Sequence, residues 1–107
     1  DLSFTGRELF SIYCASKGAI NALTKSWARE FSPEVLVNAI APGPIETNML
    51  DIENMSPEWR LKEEELTQLK RIGRPEEISS LALFLAGDGA SYITGQIIGP
   101  NGGSVMP

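Results

Sequence analysis

The chain has 107 residues, 42% hydrophobic and 21% charged, the balance of an ordinary globular domain. Its 14 acidic and 9 basic residues give a formal net charge of -5, and the basic ones are scattered, so nothing is available to neutralise a nucleic-acid backbone. The absence of histidine excludes Ser-His-Asp and Cys-His nucleophile systems and HExxH zinc sites, the apolar runs are too short for a membrane span, and the lone Cys14 fits a reducing cytoplasm.

Residues Ser11 to Phe31 read as a helix, because Ile12, Ala15, Ala19, Leu23, Trp27 and Phe31 recur at three- and four-residue steps. Ser32 and Pro33 end it, since proline disfavours helical geometry in the residue before it. Val35 to Ala41 is a short, almost wholly apolar and β-branched run, the pattern of a strand covered on both faces of a parallel sheet. Pro42-Gly43-Pro44 stops that strand and opens a loop that runs to about Asn54.

Ser56-Pro57-Glu58 opens a second helix, with Ser as N-cap and Pro at the first helical position, continuing through Trp59 to Leu69. A third starts at Arg74-Pro75-Glu76-Glu77 and presents Ile78, Leu81, Ala82 and Leu85 on one face until Gly87. Ile93 to Gly99 is a last strand before a Gly-rich tail. This alternation indicates an α/β doubly wound, Rossmann-like parallel sheet, and two strands cannot complete one, so the chain is expected to be only part of it.

Tyr13-Cys14-Ala15-Ser16-Lys17 puts a phenol and an ammonium at i and i+4, one turn apart on one helix face. A free tyrosine titrates near ~10, and a fixed cation beside it favours the phenolate, bringing the group toward working pH as a general acid or base. Tyr-x-x-x-Lys alone occurs often by chance. Its company here is Val37-Asn38-Ala39-Ile40-Ala41-Pro42-Gly43-Pro44-Ile45-Glu46-Thr47, then Arg71-Ile72-Gly73-Arg74-Pro75-Glu76-Glu77-Ile78, then Ser91-Tyr92-Ile93-Thr94-Gly95-Gln96.

With all four motifs in order over residues 13 to 103, the chain resembles the C-terminal portion of a classical short-chain dehydrogenase/reductase, closest to the 3-oxoacyl-carrier-protein reductase and glucose dehydrogenase-like group. The resemblance implies a single NAD(P)-binding Rossmann-like domain, of which residues 1–107 form the C-terminal part. It also implies hydride transfer between NAD or NADP and a carbonyl or alcohol substrate. Tyr13 is then the general acid/base, and Lys17 assists it while holding the nicotinamide ribose. Pro42 and Gly43 shape the turn beside the nicotinamide, and the backbone of Ile45 and the hydroxyl of Thr47 hold its carboxamide. Relatives are commonly tetramers, joined through the helix carrying the tyrosine and through the last strand.

Residues from about 46 to 68 correspond to the variable substrate loop and its helices. Met49, Leu50, Ile52, Met55, Trp59 and Leu61 are apolar candidates there for a pocket wall, with a core or interface role equally open. The family's glycine-rich cofactor loop and catalytic asparagine have no counterpart in these residues, and its catalytic serine is expected just before Asp1, with Ser3 as a substitute only if the loop is shorter. Gly99-Pro100-Asn101-Gly102-Gly103 replaces the usual Val-Asp-Gly-Gly, which puts the family's aspartate contact in doubt. A second reading follows from the missing nucleotide-binding half: a non-catalytic remnant or subunit-assembly fragment.

Overall fold

A computed structural model describes residues Asp1–Pro107. A single-turn helix α1 (Leu2–Thr5) precedes α2 (Ser11–Phe31), which starts and stops where its apolar spacing predicts. Before α2 the chain turns sharply: the Phe10 N–H donates to the Arg7 carbonyl at 3.1 Å, and Leu9 takes a left-handed φ of 67°. At the far end the Ser32 hydroxyl donates to the Ala28 carbonyl at 2.6 Å, and Pro33 follows.

Two strands pair in parallel, β1 (Ala39–Ile40) with β2 (Ile97–Ile98), in the register Ala39 to Ile97 and Ile40 to Ile98. Each is shorter than its apolar run predicts. The hydrogen bonding continues beyond them, from the Gly95 N–H on the Val37 carbonyl (2.7 Å) to the Gly43 N–H on the Pro100 carbonyl (3.3 Å). Regular pairing is lost at the entry because side chains supply the links there. Asn38 donates to the Ile93 carbonyl (2.8 Å) and accepts from the Gln96 N–H (3.1 Å), while the Val37 N–H goes to the Thr94 hydroxyl (3.1 Å). Gly95, at a φ of 71°, turns the backbone out of extended geometry at this point.

Helix α3 (Pro57–Leu66) begins as expected, the Ser56 hydroxyl accepting from the Trp59 N–H at 3.3 Å. It ends three residues before Leu69. Thr67 is buried and accepts from the Arg71 N–H (3.2 Å), while the Gln68 and Leu69 N–H groups both donate to the Gly102 carbonyl instead of continuing the helix. Helix α4 (Pro75–Ala86) is capped by Glu77, whose carboxylate accepts from the Arg74 N–H at 2.8 Å, and a 3-10 turn at Asp88–Ala90 leads toward β2.

Helix α2 packs on α1 and β1, giving an α/β unit built on a two-stranded sheet. Only Ala28, Ile72 and Ala90 among the apolar residues are buried, while Leu23, Trp27 and Phe31 on the amphipathic helix stay exposed. The accessible surface is 7674 Å², against roughly 5,800 Å² for a closed monomer of this mass. The fold is thus a portion of a doubly wound α/β sheet that does not close a core of its own. No helix is long and apolar enough to cross a membrane.

Candidate active site

Helix α2 presents Tyr13 and Lys17 together near its N-terminal end, as their four-residue spacing requires. The Lys17 Nζ lies 5.5 Å from the centroid of the Tyr13 ring, within the ~6 Å over which a cation is attracted by an aromatic face. Lys17 takes part in none of the four ion pairs of the chain. Tyr13 is 39% exposed, accessible to a ligand while flanked on one side by Phe10, whose ring meets it edge-on at 6.2 Å and 85°. The Ser16 hydroxyl is occupied by the Tyr13 carbonyl at 2.7 Å.

The Pro42–Thr47 segment continues from β1, beyond the carboxyl end of the strand, the position where open α/β sheets bind ligands. Its main chain is fixed from two sides. The Ala41 N–H donates to the Ile98 carbonyl (2.8 Å) and the Gly43 N–H to that of Pro100, and a Cβ on Gly43 would lie 2.8 Å from the Asn101 Cα. Only glycine fits that approach. On the other side the Gly73 N–H donates to the Pro44 carbonyl and the Glu46 N–H to the Gly73 carbonyl, both at 2.9 Å.

The same bonding leaves the Ile45 and Thr47 N–H groups without a protein acceptor. The Thr47 hydroxyl reaches the Ile45 carbonyl only at 3.4 Å, while its own carbonyl accepts from the Leu50 and Asp51 N–H groups. A rigid loop thus presents main-chain donors and a weakly engaged hydroxyl. Pro44 and Ile45 also line a cavity of about 480 Å³ together with Leu69, Gly99, Gly102 and Met106.

The apolar candidates of the following loop are less convergent. Met49, Trp59 and Leu61 are exposed and Leu50, Ile52 and Met55 half-buried. Ile52 borders a second cavity of about 340 Å³ with Glu46, Arg60 and Arg71, whereas Met49, Leu50, Met55 and Trp59 line neither cavity. Trp59 instead faces the Arg7 guanidinium, 5.7 Å from its ring. Ser3 does not serve Tyr13: its hydroxyl accepts from Asn21 at 2.8 Å, eight residues and about 12 Å further along the helix axis.

Asn101 has a larger part than its sequence context suggests. It is buried, its carbonyl oxygen accepts from the Gly103 N–H (2.9 Å), and its amide donates to the Val105 carbonyl (2.9 Å) and the Asp1 carboxylate (3.0 Å). The Asp1 carboxylate also accepts from the Ser104 hydroxyl. The asparagine that replaces the family's aspartate therefore ties the end of β2 to the segment before α2. The signal for it was an Asn between Pro and Gly-Gly, which reads only as turn chemistry. Arg71 and Glu77 line the same cavity as Pro44 and Ile45, and there the Arg71 guanidinium and then the Arg74 N–H hold the Glu77 carboxyl down to about 2.

A parallel strand pair flanked by helices, with a tyrosine-lysine pair on the helix and a donor loop past the strand's carboxyl end, defines part of a doubly wound α/β fold. The family model for enoyl-(acyl carrier protein) reductase matches residues 3–104. A 3-oxoacyl-[acyl-carrier-protein] reductase of Aquifex aeolicus is 45% identical over 103 residues, covering 95% of this chain and 41% of its own. A tropinone reductase homolog of Datura stramonium is 46% identical over 99 residues, covering 89% and 37%.

Among solved structures, a short-chain dehydrogenase/reductase of the glucose/ribitol dehydrogenase type from Brucella melitensis superposes with a TM-score of 0.89 at 36% identity, over 99% of this chain and 42% of its own. A 3-oxoacyl-[acyl-carrier protein] reductase from Brucella melitensis gives 0.82 at 38% identity, over 89% and 35%. The chain belongs to the short-chain dehydrogenase/reductase family of oxidoreductases and corresponds to its C-terminal portion. It spans about two fifths of the length of these relatives.

Proposed function

We propose that the protein containing this chain is an NAD(P)-dependent reductase or dehydrogenase of a small carbonyl/alcohol pair, with Tyr13 as general acid/base and Lys17 as its partner. The observation that carries the reading is the Lys17 ammonium, outside any ion pair, over the Tyr13 ring. The loop beyond β1 supplies the complement, since the unpartnered Ile45 and Thr47 N–H groups and the Thr47 hydroxyl suit a carboxamide, and Gly43 lets the backbone approach closely. These groups fit a nicotinamide nucleotide, NAD or NADP. Bound there, it supplies or accepts the hydride.

The residues of this chain do the rest. Lys17 donates to ribose hydroxyls and keeps positive charge beside the phenol, and Tyr13 Oη gives its proton to the carbonyl oxygen or takes one from the alcohol. Pro42 and Gly43 fix the turn, while Ile45 and Thr47 orient the carboxamide so that the reacting face is defined before chemistry. The names of the relatives make a 3-oxoacyl thioester the first substrate to try.

In the complete polypeptide, Tyr13→Phe is expected to retain nicotinamide binding and to lower reduction of acetoacetyl-coenzyme A or another accepted carbonyl roughly 10²–10⁴-fold. Undiminished turnover would remove Tyr13 from the proton-transfer step. The non-catalytic alternative is favoured only if the complete protein binds neither NADH nor NADPH.

We propose a homotetramer, as the family resemblance implies. Sedimentation of the complete protein is expected to give a tetramer mass, and a monomer would refute it.

A further inference from the structure

The segment before α2 and the face of α3 meet at one side chain. Arg7 places its guanidinium 5.2 Å from the Phe10 ring centroid and 5.7 Å from that of Trp59, with Nη1 3.9 Å from the Glu63 carboxylate. Trp59 and Glu63 are four residues apart and therefore share one face of α3. The Arg7–Phe10 turn holds Arg7 beside Phe10, and Phe10 in turn lies edge-on to Tyr13. A continuous set of contacts thus runs from α3 through Arg7 and Phe10 to the tyrosine.

Arg7 is where helix α3 meets the segment before α2. The helix has no extended packing against another helix or strand, and its fixed end is the C-terminal one, at Thr67 and the Gly102 carbonyl. Glu63 is only 7% exposed and Arg7 is its sole ion-pair partner. Their separation is at the outer limit for an ion pair, so the two aromatic faces matter as much as the charge. Lysine would keep the charge but not the planar stacking. Because Arg7 lies against two aromatic rings with the Glu63 carboxylate beside it, the guanidinium is better suited to joining two protein elements than to receiving an anionic substrate.

We propose that Arg7 is a positioning residue that clasps α3 against the Tyr13 end of α2 and so sets how tightly the substrate is held, an inference resting on Tyr13 as the proton donor. Three variants of the complete protein test it, Arg7→Ala, Arg7→Lys and Glu63→Gln, each in a background where every tryptophan other than Trp59 is replaced by phenylalanine. Two quantities are read: acrylamide quenching of Trp59 emission, and KM and kcat for acetoacetyl-coenzyme A. Arg7→Ala is expected to raise the quenching constant about twofold and KM about tenfold with kcat within about threefold of the parent, Arg7→Lys and Glu63→Gln falling between.

Unchanged quenching and KM in Arg7→Ala would overturn the proposal, as would an equal fall in kcat with KM unaltered. Should Arg7→Ala not fold, the same criteria apply to Arg7→Lys and Glu63→Gln. Quenching needs no turnover, so the clasp is judged even on a protein that reduces no carbonyl. A fully active Tyr13→Phe variant would instead strike at the catalytic reading.

Discussion

Asn38 performs with one side chain what two main-chain links do elsewhere in a parallel pair, donating to the Ile93 carbonyl and accepting from the Gln96 N–H. Removing it leaves the half-buried Ile93 carbonyl short of a bond, whereas the exposed Gln96 N–H can turn to water, so Asn38→Ala is expected to destabilise the complete protein by about 1 kcal/mol. Thermal unfolding measures that loss, and an unchanged midpoint would mean that the Ile93 carbonyl also finds another partner. Some residues of this kind were legible and others were not. Tyr13 and Lys17 could be paired from the sequence because helical spacing alone brings i and i+4 together. The free Ile45 N–H could be reached only through resemblance, since every residue except proline carries a main-chain donor and nothing in composition marks which one is left open. The part played by Asn101 was out of reach because its three partners, at Asp1, Gly103 and Val105, include one a hundred positions away.

Among the elements, α2 matched its predicted limits because its periodicity, its terminating Ser32-Pro33 and its length all act locally. The strands and α3 did not, because their ends are set by distant groups: Thr94 and Gln96 for β1, and Gly102 for α3. The α4 entrance was predicted as a helix start with favourable carboxylates, and the structure adds what Glu77 does. Its carboxylate takes two bonds from Arg71 (2.6 and 2.9 Å) and one from the Arg74 N–H, which together hold it at about 2 against an ordinary 4.5. A carboxyl whose folded value is depressed stabilises the fold fully above the unfolded value and loses that contribution as pH falls through the folded one. The contribution of Glu77 is therefore present above about pH 4.5 and is withdrawn between there and about pH 2. Melting curves of the complete protein should show Glu77→Gln less stable than the parent at pH 7, with the difference shrinking as pH falls through this window. A gap that persists at pH 2 would mean that the glutamate acts by packing and not by charge.

At the scale of the whole chain, local order and global closure separate. Helices α3 and α4 are capped by Ser56 and Glu77, and no buried side-chain polar atom lacks a partner. Even so, the radius of gyration is 15.2 Å, against about 13 Å for a closed domain of this length. Phe4, Leu23, Trp27, Phe31, Leu36 and Leu83 all remain in contact with solvent. The surplus surface, roughly 1,800 Å² over the closed-monomer value, is comparable to what a standard protein–protein interface removes from water. The sequence foretold this through its two strands, because a parallel pair needs neighbours on both edges and cover on both faces. It follows that the 107 residues taken alone should retain α2 helicity but unfold without a sharp calorimetric transition, and should bind 8-anilinonaphthalene-1-sulfonate through the uncovered α2 face. The complete protein should melt cooperatively and leave the dye dark. A sharp, dye-free transition from the isolated chain would show that these elements close a core without further strands, and would transfer the stability of the site from the missing sheet to the contacts described here.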